Sequence, residues 1–151
     1  MTTREFVTKF WNEAFTQGLW AAPWSKSIEG LTAAQAAWRP DGAGKRHSIW
    51  QNVLHVCLWR EHWLRKLKGQ ATPKEVLEAE NFPVISDSSE GAWAAARARF
   101  IDSQKRIGAA LADGSVTDEQ FEAIAHFLPH DCYHFGQINS LRALQGLAPI
   151  E

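Results

Sequence analysis

Residues 48–69 read Ser48-Ile-Trp-Gln-Asn-Val-Leu-His-Val-Cys-Leu-Trp-Arg-Glu-His-Trp-Leu-Arg-Lys-Leu-Lys-Gly69, and this stretch decides the fold class. From Ile49 to Leu67 there is neither Gly nor Pro, and apolar residues fall at helical spacing. Ser48 offers an N-cap hydroxyl before the run and Gly69 a stop after it. The stretch is a long helix, and three more can be read around it.

Upstream, Phe6, Phe10, Trp11, Ala14 and Phe15 recur at helical spacing until Gly18. Leu19 to His47 is punctuated by Pro23, Gly30, Pro40, Gly42 and Gly44 and reads as a long ordered connection, with a short helix at Thr32 to Ala37 capped by Thr32. Downstream, Pro73, Asn81, Pro83 and the Ser86-Asp-Ser-Ser89 stretch mark a second long loop, interrupted by a short turn at Lys74 to Glu80. A third helix runs from about Glu90 to Leu111, with Trp93, Phe100, Ile101 and Ile107 on its apolar side, and ends at Asp113-Gly114. The fourth starts near Thr117, where Thr117 and Gln120 have capping-box spacing, and continues to about Gln145. Pro129 must kink or locally break it. With no alternating strand pattern and no internal repeat, residues 1–151 are expected to form a single all-α domain, a four-helix bundle.

Composition narrows the function. Sixteen basic and seventeen acidic residues leave a formal charge of −1, so no global positive field exists to attract nucleic acid. The basic cluster Arg60 to Lys68 alternates with Trp63, Leu64 and Leu67, as the solvated edge of an amphipathic helix does. No apolar run approaches membrane-spanning length, the opening residues lack the apolar core of a signal peptide, and only Cys57 and Cys132 are present. A soluble cytoplasmic protein is expected. Eight Trp, concentrated between Trp11 and Trp63, can fill a core or line a pocket.

Chemistry enters with the histidines. His126, His130 and His134 fall four residues apart on the last helix. Each step of four turns only about 40° about the axis, so all three share one stripe, extended by Gln137 and Leu141. Two histidines at i and i+4 are the simplest way for one helix to give a metal two nitrogen ligands. His55, mid-way along the second helix on a face with Asn52, Leu58, Trp59 and His62, supplies a third. Cys57 and Cys132 each follow a proposed ligand by two positions and so point about 160° away from it; both read as buried small apolar residues, not ligands.

The segments His47-Ser-Ile-Trp-Gln-Asn-Val-Leu-His55 and His130-Asp-Cys-Tyr-His134-Phe-Gly-Gln-Ile138 resemble the two signatures of the DinB-like superfamily of metal-binding four-helix proteins, and Leu31-Thr32 to Trp38-Arg39-Pro40 resembles the same family. The likeness spans about residues 28–145. It implies an up-down-down-up bundle with a long crossover, and ligation by His55, His130 and His134, which leaves His126 a neighbour. It also implies relatives that act as hydrolases or thiol S-transferases, and a homodimer. Asp131 and Gln137 are candidates to fix imidazole tautomers from behind the ligands.

Three neutral imidazoles leave a coordination position open, as in catalytic zinc sites. The expected cofactor is a divalent transition metal, zinc or nickel, activating water or a low-molecular-weight thiol toward a small-molecule substrate. His62, His126 and Asp131 are the available general bases, and each has a structural reading as well. The rival expectations are a non-enzymatic metal-binding stress-response protein, whose ion ties two helices together, and a carrier with a pocket lined by Trp24, Trp50 and Trp59.

Overall fold

A computed structural model describes residues 1–42, 44 and 46–150, and among these every regular element is helical. The elements are α1 (Thr3–Thr16), α2 (Trp24–Ile28), α3 (Ala33–Ala37), α4 (Ile49–Leu67), α5 (Lys74–Glu80), α6 (Glu90–Ala112), α7 (Asp118–Ala125) and α8 (Phe127–Leu144). Local chemistry starts half of them with a reciprocal cap. Thr2, Thr32, Ser48 and Thr117 each accept a backbone N–H three residues on, and the Glu or Gln at that position accepts the cap's own N–H in return. After α1, Gly18 adopts φ +79°, and a Cβ there would lie 1.9 Å from the Ala21 carbonyl oxygen, so only glycine makes this turn.

Cross-helix contacts set the directions. Arg4 donates to the Asp113 carbonyl at 3.0 Å and the Trp11 indole to the Gln104 carbonyl at 3.0 Å, so α1 and α6 are antiparallel. Trp50 meets Trp93 at 5.2 Å between ring centroids and Arg60 reaches Ser103 at 3.1 Å, so α4 and α6 run parallel. Asn52 faces His134 at 3.0 Å and Arg60 faces Asp131 at 2.8 Å, so α4 and α8 are antiparallel. The bundle is therefore up-down-down-up. Two parallel helices in succession require the chain to double back, and residues 68–89, with α5 inside them, form that crossover. Between α1 and α8 the gap is wedged by α2, whose Trp24 meets Trp11 edge-on at 5.3 Å and stacks on Phe135 at 5.3 Å.

Some expectations need correction. The fourth helix is two, parted at His126, which closes α7 and opens α8. Pro129 has no N–H for the Ala125 carbonyl and its ring clashes there, so α7 ends and Pro129 falls in the first turn of α8, where the missing donor costs nothing. α2 is hidden in the sequence because Pro23 marks a break, yet Pro23 is the N-cap of a five-residue helix. Arg60 is not on a solvated edge: it is wholly buried. Trp24 and Trp50 are core residues and line no pocket, so of the three Trp expected there only Trp59 faces a cavity, and Trp20 stands fully exposed. Cys57 is buried but Cys132 is exposed.

Candidate metal centre

α4 and α8 bring His55, His130 and His134 to one point. One ring nitrogen from each lies within 4.8 Å of the other two, and no cysteine belongs to the group among the described residues. The Nε2 atoms of His55 and His130 are 3.2 Å apart. Two nitrogens on a tetrahedral zinc at ordinary bond lengths are separated by about 3.3 Å, so this spacing is close to that of a shared ion.

The opposite edge of each ring fixes which nitrogen carries hydrogen. His55 Nδ1 faces the Asn81 carbonyl oxygen at 3.2 Å and Oδ1 at 2.8 Å, and the same Oδ1 accepts from the Trp59 indole at 2.8 Å. His134 Nδ1 faces Asn52 Oδ1 at 3.0 Å, and Asn52 is oriented by donating its amide to the Ser48 carbonyl at 2.8 Å. His130 Nδ1 faces Asp131 Oδ1 at 2.7 Å. Every partner is an acceptor, so each Nδ1 donates and each Nε2 is left with a bare lone pair. The two Nε2 lone pairs at 3.2 Å then repel unless a cation stands between them. Donor set, tautomers and spacing all fit a divalent ion with nitrogen preference.

The sequence profile of the DinB superfamily matches residues 22–145. The chain belongs to the DinB superfamily. No curated protein and no solved structure matches it significantly. In this DinB chain the two segments that carry the likeness also build the cluster: α4 starts directly after His47-Ser48 and presents His55, and α8 presents His130 and His134 one turn apart.

The remaining candidates are placed as follows. His126 is exposed and outside the group, at the break between α7 and α8, where it lines one cleft with His130. His62 also lies outside it, edge-on to Trp59 at 5.7 Å. Gln137 donates to the Tyr133 hydroxyl at 3.0 Å, and Asn52 orients His134. Asp131 is wholly buried, and behind it stands a residue that the sequence reading placed in solvent. Arg60 Nε donates to Asp131 Oδ2 at 2.8 Å and its Nη1 to Ser103 Oγ at 3.1 Å. Its Nη2 lies 2.8 Å from the same Asp131 oxygen, at an angle that makes it an ion-pair contact and not a further hydrogen bond. The guanidinium sits 4.6 Å from the Phe100 ring centre and 4.7 Å from that of Trp11. The spacing held this signal: Arg60 follows Val53 and Val56 and precedes Leu64 on the apolar stripe of α4.

Nor was the crossover's part in the site read from the sequence. Asn81, the residue that closes α5, orients His55. Phe82 lies between two imidazoles, 3.6 Å from His47 and 4.2 Å from His55, nearly parallel to both. Gln51 donates to the Pro83 carbonyl at 2.9 Å and completes the strap.

Burial lowers the pKa of His134 to about 4, with the neighbouring His55 and His130 adding to the effect, and burial also lowers that of His55. Without metal, the unfolded chain therefore takes up protons below about pH 6.5 that the folded chain refuses until near pH 4. Stability of metal-free protein should fall as pH drops through that window and be nearly level above it. Urea midpoints in chelator at intervals from pH 7.5 to about 4.5 measure this; a midpoint that rises on acidification contradicts it.

Proposed function

We infer that the protein is a metal-dependent enzyme in which His55, His130 and His134 ligate one divalent transition metal, zinc or nickel, and that it catalyses S-transfer from a low-molecular-weight thiol, or hydrolysis, on a small-molecule substrate. The observation that carries this reading is the set of three imidazoles, each with Nδ1 held as a donor by a separate acceptor and Nε2 turned inward. When bound, the ion supplies Lewis acidity that makes a thiol or water ligand nucleophilic at neutral pH.

The surrounding residues favour the thiol. The ion can ionise either ligand, but hydrolysis also gains from a free general base, and the carboxylate touching the cluster, Asp131, is buried and committed to Arg60 and His130. A thiol, far more acidic than water, needs only the cation. Asn52, Asn81 and Asp131 hold the rings in register, while Trp59 and Phe82 exclude water from the His55 side. A purely structural ion is the weaker reading, because α4 and α8 are already tied by Arg60 and Asp131 at the same level. A reducing, cytoplasmic setting suits the two unpaired cysteines and a thiol co-substrate. Dimerisation belongs to this proposal only through the family.

The test is turnover of metal-loaded protein on a panel of electrophiles, each with a panel of cellular thiols, against the chelated protein. Thiol consumption that requires the metal supports the enzyme; equal rates with and without metal exclude it. A second measurement addresses the strap. Asn81→Leu should weaken metal binding about 10–100-fold and alter the visible spectrum of the cobalt-substituted protein, with Asn81→Asp recovering both. An unchanged cobalt spectrum and affinity in Asn81→Leu would show that His55 needs no orienting from the crossover.

A further inference from the structure

Two cavities lie near the three-histidine cluster, one lined by His130 itself and the other by Asn52, which orients His134, and their linings differ in charge. One, of about 840 Å³, runs beside α8 and includes Arg46, His47 and Tyr133 but no carboxylate. The other, of about 400 Å³, lies between α4 and α7 and reaches His130. Its apolar lining comes from Trp59, Trp63, Ala123 and Phe127, and its polar lining from Glu119, Glu122, His126 and His130, so two carboxylates and two imidazoles face the cleft and no Lys or Arg does. Trp59 is pinned through its indole N–H to Asn81, so its ring is a fixed wall. Lys66 Nζ covers one face of Trp63, 4.1 Å from the ring centre, which leaves Trp59 as the main aromatic wall for a ligand. His130 is the group on which the cleft meets the metal centre, its side chain one-third exposed.

Aromatic faces are attractive to cations, and carboxylates at a cleft mouth raise the local concentration of positive ligands. Glu119 and Glu122 project from α7 toward the same opening that Trp59 and Trp63 line from α4. We propose that the cleft between α4 and α7 is the binding site for a small organic cation, an apolar or aromatic body bearing an ammonium group, which it delivers beside His130. This names the substrate class for the metal-dependent reaction proposed above and rests on that reading for its catalytic meaning, though the binding itself does not require the metal.

The probe is benzyltrimethylammonium, which has no lone pair and cannot ligate a metal, compared with benzyl alcohol and phenylacetate. Calorimetric titrations use wild-type protein, metal-loaded and chelated, with metal content recorded for each. The expected order is cation, then alcohol, then carboxylate, with the cation favoured over the alcohol by about tenfold and less so at high salt. In Glu119→Gln/Glu122→Gln, both at exposed positions and with folding checked by circular dichroism, cation and alcohol should bind within about twofold of each other. The proposal is overturned if phenylacetate binds as well as the cation, if no probe binds, or if the double variant keeps the full preference. Absence of metal from wild-type protein would count against the metal centre and leave the cation titration standing as a separate result.

Discussion

Asp131→Ala is expected to cost about 3–5 kcal/mol of folding stability, the largest loss from any single side chain in the site. The carboxylate is wholly buried, and its removal strands the Arg60 guanidinium among Trp11, Trp24 and Phe100 with only Ser103 as a hydrogen-bond acceptor. Urea unfolding of metal-free protein isolates this cost from any loss of metal. The double variant Arg60→Met/Asp131→Leu separates fold from site. Replacing both charges with apolar groups of similar volume removes the stranded charge and should restore most of the stability. It cannot restore an acceptor for His130 Nδ1, so metal affinity should remain about 10–100-fold below wild type. An Asp131→Ala protein within about 0.5 kcal/mol of wild type would mean that Arg60 finds another partner and that the buried pair does not hold α4 to α8.

The second large effect is on metal content. Wild-type protein purified without chelator should carry about one equivalent of transition metal, whereas His55→Ala and His130→Ala should carry almost none. At a thousandfold excess of free metal over the dissociation constant, wild type gains about 4 kcal/mol from the ion. The variants should gain little, and in chelator the difference between wild type and variant should shrink to the local packing cost. Equal metal content in wild type and His55→Ala would remove the assignment of that ligand.

The reach of the sequence differed from element to element. α4 could be read to its ends because a cap, an unbroken amphipathic run and a glycine all agree there. The His-x-x-x-His pair could be read because helical geometry places residues four apart on one face wherever the helix lies. Asn81 and Phe82 could not, since their role depends on where a loop without its own periodicity comes to rest, and only tertiary packing decides that. Arg60 misleads for a related reason. A charged residue among Arg65, Lys66 and Lys68 suggests solvent, and its apolar register outweighs that suggestion only when a carboxylate such as Asp131 waits on the facing helix. Pro129 marks a break in the sequence, while the place that break leaves for His126, beside His130 in a cleft but outside the ligand group, depends on how α7 packs.

The parallel course of α4 and α6 has a kinetic corollary. His55 is oriented by Asn81, and the two meet only after the polypeptide has travelled the length of α4 and part-way back. An intermediate with α4 docked on α8 but with the return segment still loose would hold two well-aimed imidazoles and one free to spin. Stopped-flow refolding in the presence of cobalt should thus show helix formation ahead of the ligand-field bands, the colour arriving only when the return segment closes over the ring.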